Sequence, residues 1–385
     1  TLGCRTNQYE SQAYADQLEA VGYVEAGERR ADICVVNTCT VTASADSRSL
    51  YQVRKLRREH PEAQLFVTGC FAERDKGALK EIGAEVIGNA DKESLIERAL
   101  PEEVVPEFAI RRFEAHTRAF VKIQDGCNSY CSYCIIPFVR GRSRSRNEGD
   151  IVREVEGLVL SGYKEIVLTG INIGDYEHGL ARLVRRLDRL EGLERIRISS
   201  IDPDEIDDDL LDAVVSGKKT CQSMHIVLQA GANATLKRMN RKYTKQEFMR
   251  SVARLKEASP DFAFTTDIIV GFTGETERDF VETCEVVEQV RFAKVHMFPY
   301  SVRPKTRAAR FEQLPQRVVM ERKNELLRLS ERVAYELREG YVGRELDVLI
   351  EGNGVGHSDN FLPVSIEGRP NTIVRARCTA NSPEG

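Results

Sequence analysis

From residue 1 to about residue 300, short apolar runs alternate with helical stretches, and this alternation limits the possible folds more than any other feature of the chain. Strands separated by helices run parallel, with the helices covering the faces of the sheet. In residues 1–100 the pattern predicts a strand closed by Cys4 and strands over 33–37, 65–68 and 85–88. Helices are expected between them over 8–21, 44–58, 74–82 and 92–100. Residues 101–113, with Pro101 and Pro106, read as a linker. A second run of about six strand–helix units follows, which suits a barrel or a partly open one. After a long charged helix over 316–338, residues 344–378 change to short β-rich segments broken by Gly and Asn. The expected class is α/β, with an N-terminal open parallel sheet (1–103), a central partial (β/α) barrel (113–340) and a small C-terminal all-β domain (341–385).

The cysteines narrow the chemistry. There are ten in 385 residues, with no legible secretory leader and no apolar run long enough for a membrane span. Metal-binding or catalytic thiols are therefore a better expectation than disulfides, and a cytoplasmic location follows from the same reasoning. Cys127, Cys131 and Cys134 form C-x3-C-x2-C just after the first strand of the second run. Three thiolates on one loop can hold three irons of a 4Fe-4S cluster and leave the fourth open to a small molecule. A structural zinc site would need a fourth ligand, and neither His nor Cys lies nearby in sequence.

A second trio is spread along the N-terminal region. Cys4, Cys39 and Cys70 each follow a predicted strand, about 30 residues apart. Strand ends in an open parallel sheet line one crevice, so these thiols are expected to converge on a second cluster. Cys34 lies inside its strand and reads as core, and Cys221, Cys284 and Cys378 have no partners in spacing. His225 and His296 read as core residues of their strands.

Together these motifs resemble the radical S-adenosylmethionine methylthiotransferases. The C-x3-C-x2-C loop with Tyr133 before its last cysteine is similar to the signature of radical S-adenosylmethionine enzymes. G-C-R-T-N, N-T-C-T-V-T and T-G-C are similar to the three motifs of the methylthiotransferase N-terminal domain. The resemblance implies two 4Fe-4S clusters, S-adenosylmethionine as cofactor and a C-terminal domain like the RNA-binding TRAM barrel. It also implies that Cys127, Cys131 and Cys134 are catalytic, that Tyr133 lies by the adenine, and that the second cluster carries the inserted sulfur. Further cofactor-binding positions by resemblance are Gly170, Asn172, Ser200, Asp202, Gln229, Arg241, Asp267 and Gly271. Relatives usually carry Glu for Asp202, Pro for Val227 and Ser for Ala230.

The Q-D-G-C to R-G-R-S-R-S-R segment is most similar to the branch that modifies N6-threonylcarbamoyladenosine of tRNA, at C2 beside the anticodon. Isopentenyladenosine of tRNA and an aspartate of a ribosomal protein are the family's other substrates. A cluster protein that binds RNA or senses redox state without turnover is the rival from another class. The implied partners are the tRNA anticodon stem-loop, an electron donor such as a flavodoxin or ferredoxin, and a sulfur source, with no membrane. Arg140, Arg142, Arg144 and Arg146 alternate, so an extended backbone would place all four on one RNA-facing side. A net charge of −4 confines RNA contact to such local patches, with Arg369, Arg375 and Arg377 a second and Tyr341 and Phe361 the stacking candidates.

Overall fold

The computed structural model describes residues 1–27, 30–113 and 116–383. The N-terminal sheet has three parallel strands in the order Ile33–Thr38, Gln64–Gly69, Glu85–Val86. Among the described residues no strand precedes Cys4. Leu2 makes one rung, its N–H donating to Asn37 O (3.0 Å), and the chain then turns directly into the helix Arg5–Ala20. Two other predicted helices are shorter than their patterns. The stretch over 74–82 becomes Cys70–Arg74 and Lys76–Lys80, because the Asp75 side chain caps the second helix at Ala78 N (3.2 Å). The stretch over 92–100 becomes a 3-10 turn, Lys92–Ser94, followed by Leu95–Ala99.

The central region is an open barrel of parallel strands in two sheets. One holds Arg118–Lys122, Glu165–Thr169 and Arg195–Ile198. The other holds Ser200–Ile201, Ser223–Ile226, Ala263–Val270 and Lys294–Pro299. The strand expected over 195–199 is broken at Ser199, which divides one barrel strand between the two sheets. The barrel does not close between Arg118–Lys122 and Lys294–Pro299, and the N-terminal region holds both edges. Helix Arg5–Ala20 packs on the first strand. Beyond the last strand, Arg303 donates to Thr40 O (3.2 Å) and pairs with Asp46 (2.6 Å). The expected linker has no regular structure but is not free chain: Ile110 and Phe113 are buried in the barrel core, and Ile110 N donates to Glu154 Oε1 (2.8 Å).

The C-terminal strands Glu345–Gly352, Val355–Ser358, Pro363–Ser365 and Ile373–Arg377 form one antiparallel sheet. It seats on the ends of the barrel strands where they begin, opposite the cysteine loop. Arg195 donates to Asp347 O (2.6 Å), Arg197 to Asp359 O (3.0 Å), and Arg118 pairs with Glu351 (3.2 Å). This docking corrects the stacking expectation. Tyr341 is buried beneath the sheet, and its hydroxyl accepts from Asn360 Nδ2 (3.0 Å). Phe361 lies under the guanidinium groups of Arg197 (4.9 Å) and Arg118 (5.3 Å) and stacks on His357. Both rings secure the domain interface and are unavailable to an unpaired base. Among the described residues, no helix is long and apolar enough to cross a membrane.

Candidate functional site

All ten cysteines are free thiols; Cys39, Cys70 and the Cys127–Cys134 loop follow the carboxyl ends of strands, and Cys4 caps the first helix. In two cases a left-handed glycine makes the turn that presents the thiol. Gly69 (φ 92°) ends a strand, and a Cβ there would lie 2.4 Å from both Asn37 Oδ1 and Thr38 O. Gly126 (φ 73°) opens the C-x3-C-x2-C loop, and a Cβ there would lie 2.0 Å from Arg142 O. No other residue combines that backbone conformation with that lack of bulk. Gly3 lies close to the second thiol: a Cβ on it would meet Cys39 Cβ at 2.9 Å, so the segment carrying Cys4 packs against Cys39.

Burial raises two thiols of each trio. Cys70 is pushed up to about 11 by burial, against the pull of Arg140. Cys134 is pushed up to about 12 by burial and then by Cys131 beside it. Cys39 and Cys127 are raised for the same first reason. Such thiols ionise only when cationic metal takes the place of their protons. The donor sets, thiols alone, suit iron–sulfur ligation. Among the described residues no three His, Cys, Asp or Glu side chains are gathered as a ready site for a single metal ion. By donor chemistry alone, each trio could hold a cluster.

Each trio has one buried arginine on one of its sulfurs. Arg241 Nη1 donates to Cys131 Sγ (3.0 Å), and its Nη2 is paired with Asp202. Arg140 Nε donates to Cys70 Sγ (3.2 Å). The rest of the Arg140 guanidinium reaches Glu10 (3.0 Å), Asp125 (2.8 Å) and Asn7. Lys92 joins the same group, 2.6 Å from Glu10 and also paired with Asp125. Burial alone would raise Glu10, but Arg140, then Lys92 and Lys122, outweigh it and hold the carboxyl at about 2. Asp125 lies two residues before Cys127, so this buried cluster of charges joins the foundations of both trios. Cys70 also packs against Ile135 and Val139, immediately after Cys134.

This geometry corrects the arginine stripe. Arg140 follows the short helix Ile136–Val139 rather than lying on an extended strand, and its side chain has no exposure. Arg146 turns inward to Glu154 (2.6 Å) and the Tyr9 hydroxyl (2.9 Å). Arg142 and Arg144 alone remain exposed. On the C-terminal sheet Arg369, Arg375 and Arg377 are exposed as well.

The other expected positions divide. Gly170 and Asn172 follow the strand Glu165–Thr169, and the backbone N–H groups of Ile171 and Asn172 donate to Gln124 Oε1 (3.0 and 2.9 Å). Gln229 holds a left-handed backbone (φ 61°) and a buried Oε1 with no hydrogen-bond partner among the described residues. Tyr133 stands edge-on to Phe272 (6.1 Å between centroids). Ser200 is exposed at its strand end, and Asp267 lies 3.5 Å from His225. Gly271 differs: a Cβ there would meet Val319 at 2.6 Å, so its lack of a side chain serves packing against the helix Gln316–Glu339.

Four contributors were missed in the sequence reading. Gln124 ties the cysteine loop to the next strand end, its Nε2 donating to Gly126 O (2.7 Å). Glu10 and Asp125 carry the arginine between the trios. The signal for two of them stood in the Q-D-G-C run, immediately before Cys127. Glu205, which accepts from Asn172 Nδ2 (2.8 Å), is raised to about 7 by burial and then by Asp202.

An open parallel barrel with a three-cysteine loop at its mouth defines a radical S-adenosylmethionine protein. The family model described as "Radical SAM superfamily" matches residues 121–287, and one described as "Uncharacterized protein family UPF0004" matches residues 1–88. Across all of this chain and 95% of its own length, the Chlamydia pneumoniae "Threonylcarbamoyladenosine tRNA methylthiotransferase MtaB" is 47% identical. A Bacillus subtilis protein of the same name is 37% identical over 97% of this chain and 90% of its own. A solved radical S-adenosylmethionine methyltransferase, TsrM from Kitasatospora setae, aligns with a TM-score of 0.61 at 15% identity, over 77% of this chain and 73% of its own, a likeness of fold. The chain belongs to the radical S-adenosylmethionine methylthiotransferase family. S-adenosylmethionine and 4Fe-4S clusters are the cofactors of that family.

Proposed function

We propose that the chain is a tRNA methylthiotransferase that inserts sulfur and a methyl group at C2 of N6-threonylcarbamoyladenosine beside the anticodon. One observation carries the reading. Arg140 spans from Cys70 to Asp125, so two thiol trios that could each hold a cluster share one buried foundation. A reaction needing both a radical source and a sulfur source at one substrate requires such a junction.

In this reading Cys127, Cys131 and Cys134 hold the radical cluster, and Cys4, Cys39 and Cys70 hold the second. When bound, the radical cluster with S-adenosylmethionine supplies the homolytic chemistry, and the second cluster supplies the position for sulfur. Arg241 holds Cys131 in place and neutralises Asp202. The free Oε1 of Gln229 accepts from a polar group of the cofactor, and Tyr133 with Phe272 walls off water. Residues 1–103 form the domain of the second cluster, 113–340 the radical core, and 341–385 an RNA-contacting β domain. Arg142, Arg144, Arg369, Arg375 and Arg377 supply phosphate contacts. A low-potential electron donor and a sulfur source complete the requirements in the cytoplasm.

Mass spectrometry of tRNA nucleosides tests the substrate. A strain lacking the gene should accumulate N6-threonylcarbamoyladenosine without its methylthio form, and the wild-type gene should restore that form. Loss of methylthio-isopentenyladenosine instead, or of the methylthio group on a ribosomal protein, would assign the chain to another branch.

A further inference from the structure

Beside the cysteine loop lies a cavity of about 310 Å³ that none of the residues assigned above explains apart from Cys131. Cys131 and Ser132 line it, and Lys305, Arg307 and Arg310 approach from the segment after the last barrel strand. The two parts are joined, since Ala308 N donates to Ser132 O (2.8 Å). All three cations are exposed, and none has an ion-pair partner among the described residues. Three adjacent cations without ion-pair partners make a local patch of positive charge that an anion from outside can neutralise.

Two further features point to the kind of anion. Tyr130 (47% exposed) and Phe138 (48% exposed) flank the same cavity, edge-to-face at 6.4 Å. Exposed rings next to unpaired cations suit a nucleotide, whose base stacks while its phosphate is neutralised. The backbone is also strained here. Tyr130 (φ 48°), Asn240 (φ 59°) and Lys305 (φ 69°) all hold left-handed conformations around this one cavity. Side chains held in such conformations concentrate at functional sites.

We infer that this cavity binds one nucleotide of the RNA flanking the one that is modified. Lys305, Arg307 and Arg310 take its phosphate and those of its neighbours, and Tyr130 and Phe138 take the base. The inference rests on the RNA reading above and adds to it a site beside the cysteine loop.

The test measures affinity of the full-length protein for a tRNA anticodon stem-loop across a salt series. Replacing Lys305, Arg307 and Arg310 by Ala should weaken binding at least about tenfold and lower the slope of log affinity against log salt by about 2. Phe138→Ser should weaken binding by a similar factor and leave that slope unchanged. Lys305→Gly guards against a folding defect: it relieves the left-handed backbone and should raise the thermal midpoint while still weakening RNA binding. If the wild-type slope is steep and the charge substitutions leave it untouched, the cavity does not bind RNA and the inference falls alone. Unchanged RNA affinity with loss of turnover driven by reduced flavodoxin would make the cavity a protein docking site, which also overturns it. Failure of the wild-type protein to bind the stem-loop removes the RNA reading itself.

Discussion

The two cysteine trios reach similar environments by opposite routes. Cys127, Cys131 and Cys134 sit within eight residues on one loop, so their grouping needs only a strand end and the turn at Gly126. Cys4, Cys39 and Cys70 come from three separate segments, and nothing gathers them until the parallel sheet has formed. The arginines differ accordingly. Arg241 serves Cys131 from within the barrel and answers to a single acid, Asp202. Arg140 serves Cys70 from across the domain boundary and is held by Glu10, Asp125 and Asn7. A local trio tolerates a local support, whereas a dispersed one depends on the interface between domains.

The largest effects should separate the trios by chemistry. Cys131→Ala should reduce S-adenosylmethionine cleavage to background, measured as 5′-deoxyadenosine released under reduction. Cys70→Ala should keep that cleavage and lose methylthiolation. Equal loss of cleavage in both would mean that the trios act as one site.

Stability separates the arginines next. Arg140→Gln leaves Glu10 and Asp125 with too little positive charge inside the protein, and should cost about 3–5 kcal/mol in chemical denaturation. Arg241→Gln strands one acid and should cost less. The reverse order would show that the domain interface is not where the dispersed trio is held.

The glycines give a somewhat smaller contrast. Gly126→Ala and Gly69→Ala each force a Cβ onto backbone carbonyl oxygen and should cost about 2–4 kcal/mol. Each should also lower iron retention toward half, because each turn presents only one trio. Retention of full iron by either variant would separate the turn from the cluster.

The smallest effect concerns pH. Glu205 rises from 4.5 to about 7 in the folded protein, through burial and then Asp202. The unfolded chain releases this proton first, so the contribution is fully present below about 4.5 and is lost as pH rises to about 7. Allowing for partial exposure, the loss is about 1–2 kcal/mol. Glu205→Gln should flatten that part of the stability profile. An unchanged profile would place the titration elsewhere.

Much of this organisation was legible in the sequence. Alternation of strand and helix exposes parallel sheets, and the ends of two of those strands are where Cys39 and Cys70 stand. The arginine stripe was misread because alternation implies one face only on an extended backbone, and the chain turns helical at Ile136–Val139. Glu10, the partner that draws Arg140 inside, is 130 residues away in sequence, so no local pattern could reveal that Arg140 is buried. Tyr341 and Phe361 read as surface aromatics because a small β domain shows its composition but not which side docks. Gly271 looked like a site glycine because a strand end is visible in sequence and the helix that later packs against it is not.

Iron per chain, counted on anaerobically reconstituted protein, tests the central claim most directly, with wild type compared to a variant in which Cys4, Cys39 and Cys70 are all Ala. Two independent clusters require about eight irons in the wild type and about four in the variant, with the variant still cleaving S-adenosylmethionine. About four irons in both proteins would leave the dispersed trio without a cluster and contradict the account.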